Sequence, residues 1–539
     1  MNNAVKSGQA VLALCGLLWG VASQATNLAE LPLKTSLLAK PNVIFGLDDS
    51  GSMDSEVMLA TNDGALWWNV VDSKGWKVDS AHPIASLRNV SSPLFNAVGD
   101  ASSTWRKMIY LFPNGQGSGM RTYGDDDNDH FAIAPTPQFA FVRSSKHNPI
   151  YYNPLVTYKP WSPAYISAAV SYGNATPTAA KTHPVSGTST YNLAAVRNSA
   201  ASNEVFTMLP GMRIPANAKY CNSSDTCTPD IDAGSSGKDV TSGKYRASIS
   251  FWPATYWVTE SCTPEAGDNS GCTTAPNGDL LKRYEIRPGN TFPSGRTYAD
   301  ELQNFANWFT YYRKRKLMLS AAMGETLENL TGMRLGVVVF NDRKTVTMYD
   351  ADAASAANNG KRVAGIFYKT DGSGGTPTRD TLSYIGEQYR NASNVVQYAC
   401  QRNSAFIVTD GFANASGGSV PSYTQATWGT GAPYQSIFSG TLADIALSYY
   451  TVNIRAAMPT GKVPVTATDA NPNLHMTTYG LTMGARGPLW EGNGTARPTS
   501  TAAWPNPNQN RSPTSVDDLW HATINGRGQM YTASTPEET

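Results

Sequence analysis

The chain has 539 residues, and its 42 lysines and arginines nearly balance 41 aspartates and glutamates, for a formal net charge of +1. That balance argues against nucleic acid or an anionic membrane surface as partner, while the length allows a large core and more than one domain. Charged residues are only 15%, against 46 glycines, 33 prolines, 26 tyrosines and 13 tryptophans, which fits a loop-rich exported protein better than a cytosolic enzyme.

The N-terminus agrees with export. Lys6 supplies a positive start, Val11 to Ala22 is a short apolar core, and Ser23-Gln24-Ala25 offers a small-x-small cleavage site. Residues 1–25 therefore read as a signal peptide, with the mature chain starting at Thr26. A retained anchor is the rival reading, but the apolar core is short for a bilayer. Leu14 before Cys15 speaks against a lipoprotein signal.

Residues 26–54 carry the first core strand and a polar loop. Val43 to Leu47 is apolar and of strand length, then breaks into Asp48-Asp49-Ser50-Gly51-Ser52. A run apolar on both faces suits a buried parallel strand, and ligands of open α/β sheets bind at the carboxyl ends of such strands. Asp48, Ser50 and Ser52 form D-x-S-x-S, and Gly51 lets the loop turn tightly enough for three oxygens to converge. These hard donors suit Mg²⁺, Mn²⁺ or Ca²⁺ rather than a soft metal. By itself the pattern also fits a plain Asp/Ser/Gly turn.

Residues 55–296 are too long for a loop and too aromatic for disorder, so they read as an inserted, mostly β, loop-rich domain. Short β-like pieces include Tyr245 to Trp252 and Thr255 to Val258. Asp125-Asp126-Asp127-Asn128-Asp129 resembles the start of a calcium loop, but lacks the glycine and distal glutamate of an EF-hand; a solvated acidic turn is the simpler expectation. In an oxidising compartment the close pairs Cys221/Cys227 and Cys262/Cys272 read as disulfides. Zinc is the alternative, without any C-x-x-C knuckle to support it. Cys400 is expected to be a buried free thiol.

Residues 297–490 alternate helical and strand patterns. A long helical pattern starts near Tyr298, with Asp300 and Glu301 in its first turn and Gly332 at its end. Arg313 to Lys316 lies inside it and reads as a solvated basic face. Leu335 to Phe340 is a second buried strand. Asp371-Gly372-Ser373-Gly374-Gly375-Thr376-Pro377-Thr378 is a glycine-rich loop opening a helix from about Arg379 to Arg390. Ala405 to Thr409 is another strand, ending in Asp410. Leu442 to Tyr450 reads as helix and Met476 to Met483 as strand. Residues 491–539 read as a Pro/Asn-rich connection, a short helix at Val516 to Ala522, and a polar tail.

Asp48, Ser50, Ser52, Thr376 and Asp410 in this order resemble the metal-ion-dependent adhesion site of von Willebrand factor A (vWA) domains. The fold class expected is α/β: a vWA, Rossmann-like domain with a mainly parallel sheet and helices on both faces, interrupted by the large insertion. The resemblance implies one divalent cation at those five residues, Mg²⁺ or Mn²⁺ rather than Ca²⁺.

More specific stretches resemble the PilC/PilY-type proteins at the tip of type IV pili. They include His147-Asn148-Pro149-Ile150-Tyr151-Tyr152-Asn153-Pro154, Tyr158-Lys159-Pro160-Trp161 and Asn304-Phe305-Ala306-Asn307-Trp308-Phe309-Thr310-Tyr311-Tyr312-Arg313. Leu442 to Ala446, His475 to Tyr479 and Asp517 to Gly528 add to them. The resemblance implies export to the periplasm, outer surface and pilus tip, a role in pilus assembly or extension, and adhesion. Its expected partners are minor pilins and surface or host ligands reached through a carboxylate, with no nucleic acid and no small-molecule substrate. Such proteins usually continue into a large C-terminal β-propeller; here a fragment or a shortened paralogue is expected, and no Arg-Gly-Asp tripeptide is present. The chain has no H-E-x-x-H, G-x-S-x-G, G-x-G-x-x-G or P-loop pattern, and its six histidines are scattered, so an enzyme is not expected. A secreted vWA adhesin unrelated to pili, or a metal-assisted hydrolase, are the alternatives.

Overall fold

A computed structural model describes residues 39–59, 64, 66–69, 77–78, 95–96, 106–113, 130–186, 188–197, 205–209, 211–222, 227–275, 277–351, 359–414, 416–423, 429–509, 512–535 and 538. The expected signal peptide and the Asp125 to Asp129 acidic run lie outside the described residues. No helix among the described residues is long and apolar enough to cross a membrane.

The central sheet is built from β1 (Asn42–Leu47), β2 (Met333–Val339), β3 (Tyr349–Ala351), β4 (Asn403–Thr409), β5 (Met476–Met483) and β6 (Arg527–Ala533), in the order β3-β2-β1-β4-β5-β6. Every neighbouring pair is parallel except β2 with the short edge strand β3. Among the described residues six α-helices accompany it: α1 (Tyr298–Tyr311), α2 (Arg315–Asn329), α3 (Asn359–Lys369), α4 (Thr378–Asn391), α5 (Leu442–Thr451) and α6 (Thr514–Asn525).

The apolar character of β1 follows from burial on both sides. Phe45 and Leu47 join Phe305, Leu317 and Phe367 of α1–α3 on one face. Ile44 joins Leu382, Ile445 and Leu519 of α4–α6 on the other. A Cβ at Gly46 would stand 2.6 Å from Ile407 Cδ1 of β4 and 3.1 Å from Thr381 Cγ2 of α4, so glycine leaves the room these side chains take.

The sequence reading has no counterpart for α3 or β3, and three expected elements take a different form. The long helix is two helices, broken at Tyr312 to Lys314. The short helix at Val516 to Ala522 extends over Thr514–Asn525. The polar tail contains β6, which pairs in parallel with β5. As an edge strand buried only at Met530 and Ala533 it needs no continuous apolar run, so hydropathy does not reveal it.

Between 55 and 296 the regular structure among the described residues is short strands and 3-10 turns. Strands at 205–208, 245–248, 219–222 and 231–232 form one antiparallel sheet, and those at 255–259, 280–285 and 272–274 another. Cys221 is bonded to Cys227 and Cys262 to Cys272, with Cα separations of 6.2 and 5.9 Å. Cys400 is a free thiol, half-buried rather than buried. The segment shares its core with the rest: Phe112, Tyr151, Tyr152 and Trp257 belong to the same buried cluster as α1, α2 and the sheet face above them.

On α6, His521 stacks on Trp504 with ring centroids 3.9 Å apart, and its Nε2 donates to the Tyr434 carbonyl at 2.9 Å. Burial lowers its pKa to about 4. The unfolded chain therefore binds the extra proton first, so stability is expected to fall as pH drops from 6.5 towards 4, by about 3 kcal/mol. Denaturant titrations across this window should show a shallower slope for His521→Phe, which keeps the ring stack. Equal slopes for the two proteins would contradict this.

Candidate cation site at the carboxyl ends of the central strands

β1 and β4 lie side by side where the strand order reverses, the place at which open α/β sheets form a crevice. Asp48 follows β1 directly, and its N–H still donates to the Val408 carbonyl at 3.0 Å. Its carboxylate is buried. Oδ1 accepts from the Ser50 N–H at 2.8 Å and Oδ2 from the Thr409 hydroxyl at 2.6 Å. A 3-10 turn over Gly51–Asp54 then brings Ser50 Oγ and Ser52 Oγ to 3.0 Å. That is a hydrogen-bond distance. It is also roughly the spacing of adjacent oxygens around an octahedral ion bound at about 2.1 Å.

The glycine-rich loop is tied to this turn. The Gly51 N–H donates to the Gly374 carbonyl at 3.3 Å. Asn341, just past β2, bridges the two loops by donating from Nδ2 to Asp49 Oδ1 at 2.7 Å and to the Gly375 carbonyl at 2.8 Å. Gly374 has φ of 96° and a Cβ there would meet Asn341 Cγ at 2.9 Å, so both backbone conformation and close approach require glycine. Thr376 is 7% exposed. Its carbonyl accepts from Asn414 N at 3.0 Å.

Asp410 follows β4 and is buried. Burial first, and then the charge of Asp410, push the Asp48 carboxyl up to about 7. Two neighbouring buried carboxylates, with the paired Ser50 and Ser52 hydroxyls on the adjoining turn and Thr376 on the loop tied to it, make an oxygen-only donor set that fits a hard cation. No group of three or more His, Cys, Asp and Glu side chains arranged to hold a metal occurs among the described residues. Cation binding here would thus depend on the hydroxyls of Ser50, Ser52 and Thr376.

The basic run Arg313 to Lys316 is not a solvated face. The chain breaks between α1 and α2 and turns these side chains inward. Arg313 Nε meets Glu56 Oε1 at 3.0 Å, and Lys314 Nζ meets Asp54 Oδ1 at 3.0 Å. Arg315 Nη1 meets Asp410 Oδ2 at 2.8 Å. Lys316 Nζ reaches Asp54 at 2.8 Å and Asp371 at 2.6 Å. A helical wheel alone puts such a run in water, because its acidic partners lie far away in sequence. The available hint was Asp54 and Glu56 beside Ser55 in a stretch, Met53 to Leu59, whose other residues are apolar, a setting that buried acids can occupy only with partners.

Asp54 carries two ammonium groups. Burial lowers Lys314 to about 7 against the pull of Asp54. For Lys316 burial acts the same way, but Asp54 and Asp371 outweigh it and raise its pKa. Asp371 also accepts from Ser186 Oγ at 3.2 Å and lies 3.8 Å from His183 Nε2. Here the 55–296 segment touches the loop that carries Thr376.

The motif-like stretches at 147–161 and 304–313 pack against each other. Asn148 accepts from Met58 N at 2.8 Å and donates to the Glu56 and Val142 carbonyls at 3.1 and 2.9 Å, which fixes the chain leaving the site. Trp308 Nε1 donates to the Ile150 carbonyl at 2.9 Å, and Asn304 Oδ1 accepts from Tyr158 N at 2.8 Å. Trp161 Nε1 donates to the Tyr311 carbonyl at 2.9 Å. These residues join α1 to the segment before it and do not contribute donors to the cation cluster.

No family model matches the chain, and no solved structure matches it significantly. Curated relatives do. The type IV pilus biogenesis factor PilY1 of Pseudomonas aeruginosa strain PAK is 27% identical over 294 residues, covering 44% of this chain and 25% of that relative. Its counterpart in strain PAO1 is 26% identical over 297 residues, with the same two coverages of 44% and 25%. That of strain UCBPP-PA14 is 26% identical over 284 residues, covering 43% and 24%. These relatives support a PilY1-like family for the chain, which spans about a quarter of the length of the curated relatives it matches.

Proposed function

With a PilY1-like segment as the premise, we propose that this exported protein acts in type IV pilus biogenesis and surface adhesion through a vWA-type cation site formed by Asp48, Ser50, Ser52, Thr376 and Asp410. The single observation carrying the site is the meeting of Asp48, Asp410 and the Ser50/Ser52 pair at the ends of β1 and β4, with the Thr376 loop tied across them. The parallel sheet with an antiparallel edge strand β3 supports the vWA reading. Bound Mg²⁺ or Mn²⁺ would supply a positively charged acceptor for a carboxylate of another pilus component or of a surface. Asp48 and Asp410 hold the charge in place, while the hydroxyls of Ser50, Ser52 and Thr376 add oxygen without adding charge. The role is one of binding, not catalysis.

The test uses purified protein and isolated pili. Binding is expected in Mg²⁺ and to be lost in EDTA while circular dichroism shows the protein still folded. Asp48→Ala should abolish the Mg²⁺ dependence, and Thr376→Ala should weaken binding more than it lowers the melting temperature. Undiminished binding by folded protein in EDTA would overturn the reading.

A further inference from the structure

The guanidinium of Arg315 is placed where it changes what the cation site can bind. Arg315 opens α2 and is 0% exposed. Its backbone N–H donates to the Ser55 carbonyl at 3.1 Å. Its Nε and Nη2 both donate to the Val57 carbonyl, at 3.2 and 2.9 Å. Its Nη1 donates to Asp410 Oδ2 at 2.8 Å. The head group is thus held on two sides, one of them a carboxylate of the candidate site.

We propose that Arg315 is a positioning residue that sets the net charge of the site, so that a bound divalent cation keeps a positive surplus and selects an anionic ligand. The inference rests on the cation reading above. Asp48 and Asp410 with one guanidinium leave a formal charge of −1. A divalent cation brings the assembly to +1, and one outside carboxylate makes it neutral. Without the guanidinium, the two aspartates alone neutralise the cation, and an incoming carboxylate meets no attraction. Arginine suits this task because it stays protonated when buried and holds a fixed fork geometry. Contact with Asp410 Oδ2 also fixes the carboxylate's rotation, which determines where its second oxygen points. The arrangement exchanges cation affinity for ligand affinity.

The two quantities should therefore move in opposite directions when the charge is removed, which a purely structural role would not produce. The experiment titrates wild type, Arg315→Gln and Arg315→Lys of the full chain with MnCl₂ by calorimetry, with and without sodium acetate as the carboxylate probe. In wild type, acetate should tighten apparent Mn²⁺ binding, since linkage is reciprocal. Arg315→Gln should bind Mn²⁺ roughly tenfold more tightly, because a positive charge close to the cation is gone, and its acetate effect should vanish. Arg315→Lys is titrated beside wild type at pH 6, since burial lowers the neighbouring Lys314 to about 7; with its charge kept, it should retain the wild-type pattern in both measurements. If wild type binds Mn²⁺ but Arg315→Gln binds it equally or more weakly, or Arg315→Lys loses the acetate effect, Arg315 only supports the fold and the proposal falls. Failure of wild type to bind Mn²⁺ overturns the cation reading itself.

Discussion

Glu56→Ala is expected to cost about 3–5 kcal/mol of folding stability, the range for removing one partner of a buried ion pair. Glu56 is 2% exposed and uses both oxygens. Oε1 accepts from Arg313 Nε at 3.0 Å, and Oε2 accepts from Leu111 N at 2.7 Å and Phe112 N at 2.9 Å. Arg313 keeps its bonds to the Thr182 and Phe309 carbonyls, both at 2.7 Å, but these do not neutralise its charge. The alanine protein therefore holds a charged guanidinium and two backbone donors inside the core without their acceptor. Urea or guanidinium titration measures the loss. A cycle with Arg313→Met should recover a large part of it, because deleting both charges leaves no uncompensated ion. A loss below about 1 kcal/mol, or no coupling between the two substitutions, would show that water reaches this layer.

Trp308→Ala is expected to cost about 3–5 kcal/mol as well, as for other large aromatic deletions in cores. The Trp308 ring is 1% exposed. Its centroid is 4.7 Å from Tyr151 and 5.0 Å from Phe305, so it links the 147–161 stretch to α1. Truncation opens a cavity there and also strands the Ile150 carbonyl that Nε1 now satisfies. Trp308→Phe should be milder, about 1–3 kcal/mol, since it keeps most of the packing and loses the hydrogen bond. Denaturant midpoints for the two variants give the comparison. Equal losses would mean that the ring packing Phe retains contributes nothing and the lost indole hydrogen bond carries the whole cost, and a loss under about 1 kcal/mol for alanine would mean that the two stretches are not packed as described.

Both substitutions act on the frame around the cation cluster rather than on its donors. Glu56 lies four residues beyond Ser52, and Arg313 two before Arg315. The four basic residues hold Asp54, Glu56, Asp371 and Asp410, which stand on the loops that carry or flank the candidate donors. Weakening this layer should loosen the site even where no donor is changed.

The amino-acid sequence by itself determined those features whose cause is local. β1 and β4 were legible because burial on both faces demands unbroken apolar runs, and each run stops at an acid that cannot enter the sheet interior. β5 was legible at its observed bounds, Met476–Met483. The start of α1 was legible from Asp300 and Glu301 in its first turn, above Thr297, whose hydroxyl accepts from Asp300 N at 3.2 Å. The cysteine pairs were legible because short separations favour local closure. Tertiary structure alone decided the rest. Arg313 to Lys316 has the composition of a surface, and only a break in the helix, acids more than 250 positions earlier and others 55 and 95 positions later turn it inward. Arg315 and Asp410 are 95 positions apart, and no periodicity connects them. β6 is polar because an edge strand buries little, so only pairing with β5 reveals it. Local hydropathy records the environment of an element, whereas charge pairing and sheet edges depend on which distant segment arrives beside it. That is decided by the packing of the whole chain.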